Sequence, residues 1–183
     1  MKTAFNHSIC IGLLLCLISF SGMKCEKDEL GLPPITQTGA NRVGFLLNGQ
    51  PWTPKGHVGV SANLSINVDF GYNNGVFSIR AYRYDSITKK QEYFGIGMRD
   101  SLNYYTPPFS LALTNKGLNR FYFSDDFCTM FSSDTDAYSA GKLTISKLDK
   151  INKIIAGTFN ATLYKPGCAD TIRITDGRFD MSY

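Results

Sequence analysis

The chain has 183 residues, is 43% hydrophobic and 19% charged, and carries a formal net charge of +4. That composition excludes wholesale disorder and points to one domain with a self-sufficient core. Removing Lys2 and Lys24 with a leader leaves 17 basic residues against 15 acidic ones, a net of +2. A charge this small gives no argument for nucleic acid or an anionic membrane surface. With 10 Tyr and 13 Phe, the aromatic content leans towards strands.

The N-terminus reads as an address. Met1-Lys2 is basic, and Ile9 to Phe20 is apolar apart from Gly12 and Ser19. This run is too short to span a bilayer, which takes about 20 apolar residues. It fits the central region of a secretory signal. Ser21-Gly22-Met23-Lys24-Cys25 follows, then Glu26-Lys27-Asp28-Glu29. These residues resemble a bacterial lipoprotein signal, and the acidic group after the cysteine resembles the surface-export signal of Bacteroidetes lipoproteins. Lys24 departs from the Gly, Ala or Ser usual before the cysteine; cutting at Cys16 instead would split the apolar run. The resemblance implies a signal peptide over residues 1–24, a lipid-bearing (palmitoylated) Cys25, and an outer-membrane location with the domain facing the cell surface. Membrane lipid is then one partner, through Cys25. Residues 25–41 include Gly31, Pro33, Pro34, Thr36, Thr38 and Gly39 and read as the lipid anchor and a flexible tether. The folded domain is expected over residues 42–183.

With Cys10 and Cys16 in the leader and Cys25 lipidated, Cys128 and Cys168 remain. In an exported chain they are a disulfide candidate; two separate buried thiols are the alternative. Two cysteines and His57 do not reach a zinc ligand set.

Within the domain, Val43 to Leu47 reads as a strand ending at the hairpin dipeptide Asn48-Gly49. Trp52, the only tryptophan, is expected to pack over a domain edge, with ligand stacking as the lesser reading. Leu64, Ile66, Val68 and Phe70 alternate with polar residues, turn at Asn73-Asn74-Gly75, and return through Phe77, Ile79 and Ala81; this predicts a hairpin. Phe94, Ile96 and Met98 form the next inward set. Gly95 and Gly97 leave the opposite face bare, which suggests a bend or a crossing neighbour. Phe109 to Leu113 and Phe121 to Phe131 supply further strands. Leu143 and Ile145 alternate, then Ile155 to Leu163, and Pro166-Gly167 suits a turn. Asp176-Gly177 is read as a bulge in one long final strand rather than as a hairpin turn. No stretch shows helical periodicity over ten residues. The result is an all-β, single antiparallel meander domain, closed as a β-barrel or a β-sandwich, with a lipocalin-like barrel as the first guess.

Phe45-Leu46-Leu47-Asn48-Gly49-Gln50-Pro51-Trp52, Gly157-Thr158-Phe159 and Ile174-Thr175-Asp176-Gly177-Arg178-Phe179-Asp180 resemble motifs of small envelope lipoproteins of Bacteroidetes. That family has no established function, so the resemblance implies a location and a fold but no chemistry.

Catalytic constellations are hard to find. No G-x-S-x-G surrounds a serine, and His57 has no evident nucleophile. A carboxylate pair could be drawn from Asp69 or Asp100 with Asp126. Asp134 and Asp136 are weak Ca²⁺ candidates beside a solvated-loop reading. Tyr82, Tyr84 and Tyr93 occupy an expected outer face and could stack on a sugar or contact a partner; a second buried layer is the alternative. The functional expectation is therefore a lipid-anchored, non-enzymatic envelope protein without cofactors. Its partner would be a glycan, a small ligand or an envelope protein, and not nucleic acid. A purely structural envelope component is the alternative, and a paired-carboxylate enzyme ranks last.

Overall fold

The computed structural model describes residues 28, 30–56, 62–115, 117–168 and 171–183. Eleven strands form two antiparallel sheets: β1 (Arg42–Leu47), β2 (Gln50–Trp52), β3 (Leu64–Asp69), β4 (Val76–Tyr84), β5 (Gln91–Met98), β6 (Phe109–Ala112), β7 (Asn119–Ser124), β8 (Thr129–Phe131), β9 (Tyr138–Asp149), β10 (Ile154–Tyr164) and β11 (Ile172–Ser182). A six-stranded sheet runs β2-β1-β11-β10-β9-β6 and a five-stranded sheet runs β3-β4-β5-β7-β8. The expected all-β antiparallel domain is therefore present, as a sandwich and not as the closed barrel of the first guess. A barrel needs one continuous ladder. Here the chain leaves β5, adds β6 to the edge of the other sheet beside β9, and returns as β7 beside β5.

The hairpin signals act as read. Asn48 and Gly49 both take positive φ, joining β1 to β2 in the manner of a type I′ turn. The final strand is one element: between Gly177 and Ile174 its register against β10 slips by one residue, with Asp176 at φ 53°. This is the bulge expected at Asp176-Gly177.

The inner faces meet through aromatic rings. Phe45 stacks on Trp52 with centroids 4.6 Å apart, and Phe94 packs on Phe45 and Phe159 at 4.8 and 5.2 Å. Trp52 is fully buried, so it neither covers an edge nor offers a stacking surface to a ligand. Its indole N–H donates to Glu92 Oε2 at 2.8 Å. Buried Glu92 also holds Arg83 at 2.6 Å and Lys90 at 2.9 Å. Several donors thus compensate the burial of one carboxylate.

Two other features tie the chain together. Cys128, just before β8, is disulfide-bonded to Cys168 in the β10–β11 turn, with Cα atoms 5.7 Å apart, and so links the two sheets. The described part of the segment expected as a tether over 25–41 is packed on the domain. From Leu30 onward it lies along the outer face of the six-stranded sheet. Leu32 is fully buried, and Pro33 sits directly over Gly44, where a Cβ would come within 2.6 Å of its ring. Asp180 accepts from the Thr36 hydroxyl at 2.6 Å and from the amides of Thr38 and Gly39 at 2.9 and 2.7 Å. Arg178 pairs with Asp28. The segment is a strap, held by carboxylate and guanidinium groups from β11.

Candidate functional site on the outer face of the five-stranded sheet

Period-two alternation decides what this face carries. Phe77, Ile79 and Ala81 point inward from β4, so Ser78, Arg80 and Tyr82 point outward. In β5 the outward set is Tyr93, Gly95 and Gly97; in β7 it is Arg120, Tyr122 and Ser124. The register aligns Arg80, Gly95, Tyr122 and Phe131 across four strands.

The two glycines shape the surface. A Cβ on Gly95 would lie 2.0 Å from Tyr122 Cε1, so the Tyr122 ring lies across Gly95. A Cβ on Gly97 would lie 2.3 Å from the Phe77 carbonyl oxygen, so β4 and β5 run flush there. A trough of about 240 Å³ results, bounded by Arg80, Arg99, Arg120, Tyr122, Phe131 and Ser133. The bare face expected at Gly95 and Gly97 is thus crossed by a neighbour, the ring of Tyr122.

Four aromatic rings cross the sheet diagonally. Tyr82 and Tyr93 are opposite one another, with centroids 6.0 Å apart. Tyr93 stands one diagonal step from Tyr122, which faces Phe131 at 5.5 Å. Diagonal neighbours on a sheet lie within reach of aromatic side chains. Tyr93 and Phe131 are 39% and 44% exposed, so the stripe meets solvent within its length and at its Phe131 end. Burial pushes the Tyr122 phenol above its ordinary value, opposed by the positive charge of Arg80.

The electrostatics are one-sided. No carboxylate lines the trough, and none of Arg80, Arg99 and Arg120 belongs to an ion pair among the described residues. Arg120 Nη1 donates to the Asn115 carbonyl at 3.4 Å, while its buried Nε has no acceptor. Buried donors are normally satisfied, so an orphan at a trough edge is informative.

The structure separates the remaining candidates. Tyr84 stands beside Lys55 and Gly56 at the sheet corner, away from the trough. Asp69 and Asp100 lie at the end of the sheet opposite Asp126, which accepts from the Gln91 amide. These acids are therefore no catalytic pair. Asp134 is taken by Lys165 at 2.8 Å, and Asp136 also acts on that lysine. A lysine at the carboxylate opposes a Ca²⁺ ion, and the described residues contain no group of three or more His, Cys, Asp or Glu arranged for a metal. Cys25 and His57 lie outside the described residues.

A larger cleft of about 560 Å³ opens where the strap, β1 and the edge of β3 meet, with Val43, Leu64 and Ile66 in its wall. Arg42 is the only charged residue in its lining among the described residues.

Tyr122, Phe131, Arg80 and Arg120 escaped sequence reasoning. The usable signal was the alternation Arg120-x-Tyr122-x-Ser124 beside two bare glycines. Comparison with protein-family models, curated proteins and solved structures found no match.

Proposed function

We propose that the protein is a lipid-anchored, non-enzymatic module of the bacterial outer membrane that binds a glycan on the outer face of its five-stranded sheet. The observation that carries this reading is the diagonal stripe Tyr82–Tyr93–Tyr122–Phe131 bordering a glycine-floored trough. Aromatic faces stack on the C–H faces of sugar rings, while arginine and hydroxyl groups accommodate sugar oxygens. The trough is smaller than the roughly 300–1,000 Å³ of pockets that enclose drug-sized ligands. One unit of a longer polymer, lying across the sheet, suits it better than a sequestered small molecule.

The anchor supports the same arrangement. Only Glu26 and Lys27 separate Cys25 from Asp28, which already pairs with Arg178. Three residue steps reach at most about 11 Å. A lipid on Cys25 would therefore hold the strapped, six-stranded side near the bilayer and turn the aromatic side away from it.

Affinity electrophoresis through gels containing soluble polysaccharides tests the reading. Retardation by at least one polysaccharide, lost in Tyr122→Ala while the melting temperature stays within a few degrees of the parent, is expected. Free migration in every gel, or equal retardation of Tyr122→Ala, defeats it. The anchor has its own test: Cys25→Ala should move the protein from the membrane to the soluble fraction, and unchanged fractionation would refute lipidation there.

A further inference from the structure

We infer that the glycan is anionic, carrying carboxylate or sulfate groups that the arginines of the trough receive; this rests on the glycan reading above. Elsewhere, five cations have acidic partners: Arg83 and Lys90 share Glu92, Lys165 holds Asp134, Lys147 approaches Asp149, and Arg178 pairs with Asp28. At the trough three arginines line one depression, with no acid in the lining and no ion pair among the described residues. Mutual repulsion of three such charges opposes their clustering, and a bound anion relieves it.

The choice of residue matters. Guanidinium presents a planar fork of donors that matches carboxylate and sulfate oxygens, and no lysine among the described residues lines the trough. Arg120 spends Nη1 on the Asn115 carbonyl and leaves Nε without an acceptor. Its guanidinium is thus held in place by the protein without being neutralised. Arg80 stands beside the Tyr122 ring, close enough to lower the phenol's tendency to hold its proton. Charge and stacking surface are therefore adjacent. A sugar ring on Tyr122 would bring an equatorial acid group towards Arg80 or Arg120.

Single-stranded nucleic acid also combines anionic charge with rings that stack. The observations favour the glycan. Three cations at one trough do not form the extended positive groove that tracks a phosphate backbone, and the whole chain carries only +4.

The test uses the full-length protein in mild non-ionic detergent, titrated with polygalacturonate, dextran sulfate, neutral dextran, neutral galactan and oligo-dT. Polygalacturonate or dextran sulfate should bind at least about tenfold more tightly than its neutral counterpart, an effect expected of charge-assisted pairing. Arg80→Gln and Arg120→Gln should each weaken the anionic ligand about fivefold or more, and by a larger factor than they weaken the neutral polymer. Tyr122→Ala should weaken it as well, although the charges remain; loss through arginine alone would indicate mere ion exchange and overturn the inference. Equal affinity for charged and neutral forms would overturn the anionic inference and leave the glycan reading standing. Binding to no polysaccharide would remove both. Tighter binding to oligo-dT than to every polysaccharide would replace both with a nucleic-acid ligand.

Discussion

The two outer faces of this sandwich are finished in opposite ways. The six-stranded sheet is covered by its own chain: Pro33 fills the space over Gly44, and Asp180 receives the Thr36 hydroxyl and two backbone amides. The five-stranded sheet has the same kind of flat, glycine-containing surface, yet no segment of the described chain crosses it. Its Gly95 is covered by one ring, Tyr122, and its arginines have no acid partner among the described residues. On the first face every charge from β11 that the strap crosses has a partner inside the molecule. On the second, no acid among the described residues pairs with Arg80, Arg99 or Arg120. The proposed glycan site rests on this asymmetry in satisfaction rather than on a catalytic motif.

The largest predicted effect concerns both faces together. Cys128–Cys168 closes a loop of 40 residues and joins the sheets. On the loop-entropy model, Cys128→Ser with Cys168→Ser should destabilise the protein by about 3–4 kcal/mol. Urea denaturation read by the buried Trp52 would measure this. Because the bridge serves both sheets, the strap and the trough should weaken alike; a loss confined to one face would break the symmetry assumed for the core.

Next comes the covered face. Asp180→Ala removes the acceptor of four hydrogen bonds, counting the 3.2 Å bond from the Thr38 hydroxyl. Bonds to a charged group are worth about 1.5–3 kcal/mol each and do not add fully, so a loss of about 3 kcal/mol is expected. Proteolysis should then cut first within residues 30–41, while glycan retardation of the uncut protein persists. Cleavage elsewhere first would mean the strap is not the element Asp180 holds.

The bare face responds differently. Gly95→Ala drives a Cβ into the Tyr122 ring and should cost about 1–3 kcal/mol, the range for forcing extra volume into a packed site. The ring must leave its place, so polysaccharide retardation should fall with it. Gly95→Ala combined with Tyr122→Ala should recover most of the stability and none of the binding. If the double variant is as unstable as Gly95→Ala alone, the clash is with backbone and the ring is not what the glycine accommodates.

How much of this was legible depended on range along the chain. Period-two alternation is local, and it placed Phe77, Ile79, Ala81, Phe94, Ile96 and Met98 inward, as found. Turn chemistry is local too, and Asn48-Gly49 and Asp176-Gly177 behave as read. The choice between barrel and sandwich was not local, because it turns on β6 leaving for the other sheet. The same excursion decides that Tyr122 lies over Gly95, so only half of the trough, the bare glycines, could be read. Thr36, Thr38 and Gly39 looked like spacer because their acceptor, Asp180, lies 141 to 144 residues away. Trp52 looked like an edge residue because Glu92, which satisfies its N–H, is 40 residues distant.

The smallest effect is a pH dependence that separates the two faces. Burial pushes the Asp180 carboxyl up, but the Thr36 hydroxyl and the amides of Thr38, Gly39 and Ala40 outweigh it and hold the group below its ordinary value of 3.8. A carboxyl whose folded value is depressed stabilises the fold fully above its unfolded value, about 3.9, and loses that contribution as pH falls through the folded value. The strap should therefore be fully held at pH 6 and loosen below about pH 4. The trough has no such group. Arginines remain charged throughout this range, and the Tyr122 phenol is raised above 10.0, so it stays protonated. Hydrogen exchange at pH 6 and pH 3, corrected for intrinsic rates, should show protection at Thr38 and Gly39 falling while that at Tyr122 and Gly95 holds. Parallel loss at both places would mean that acid opens the sandwich as one unit. The strap would then be part of the global fold, and the asymmetry between the faces would be one of covering alone, without a difference in how each is held.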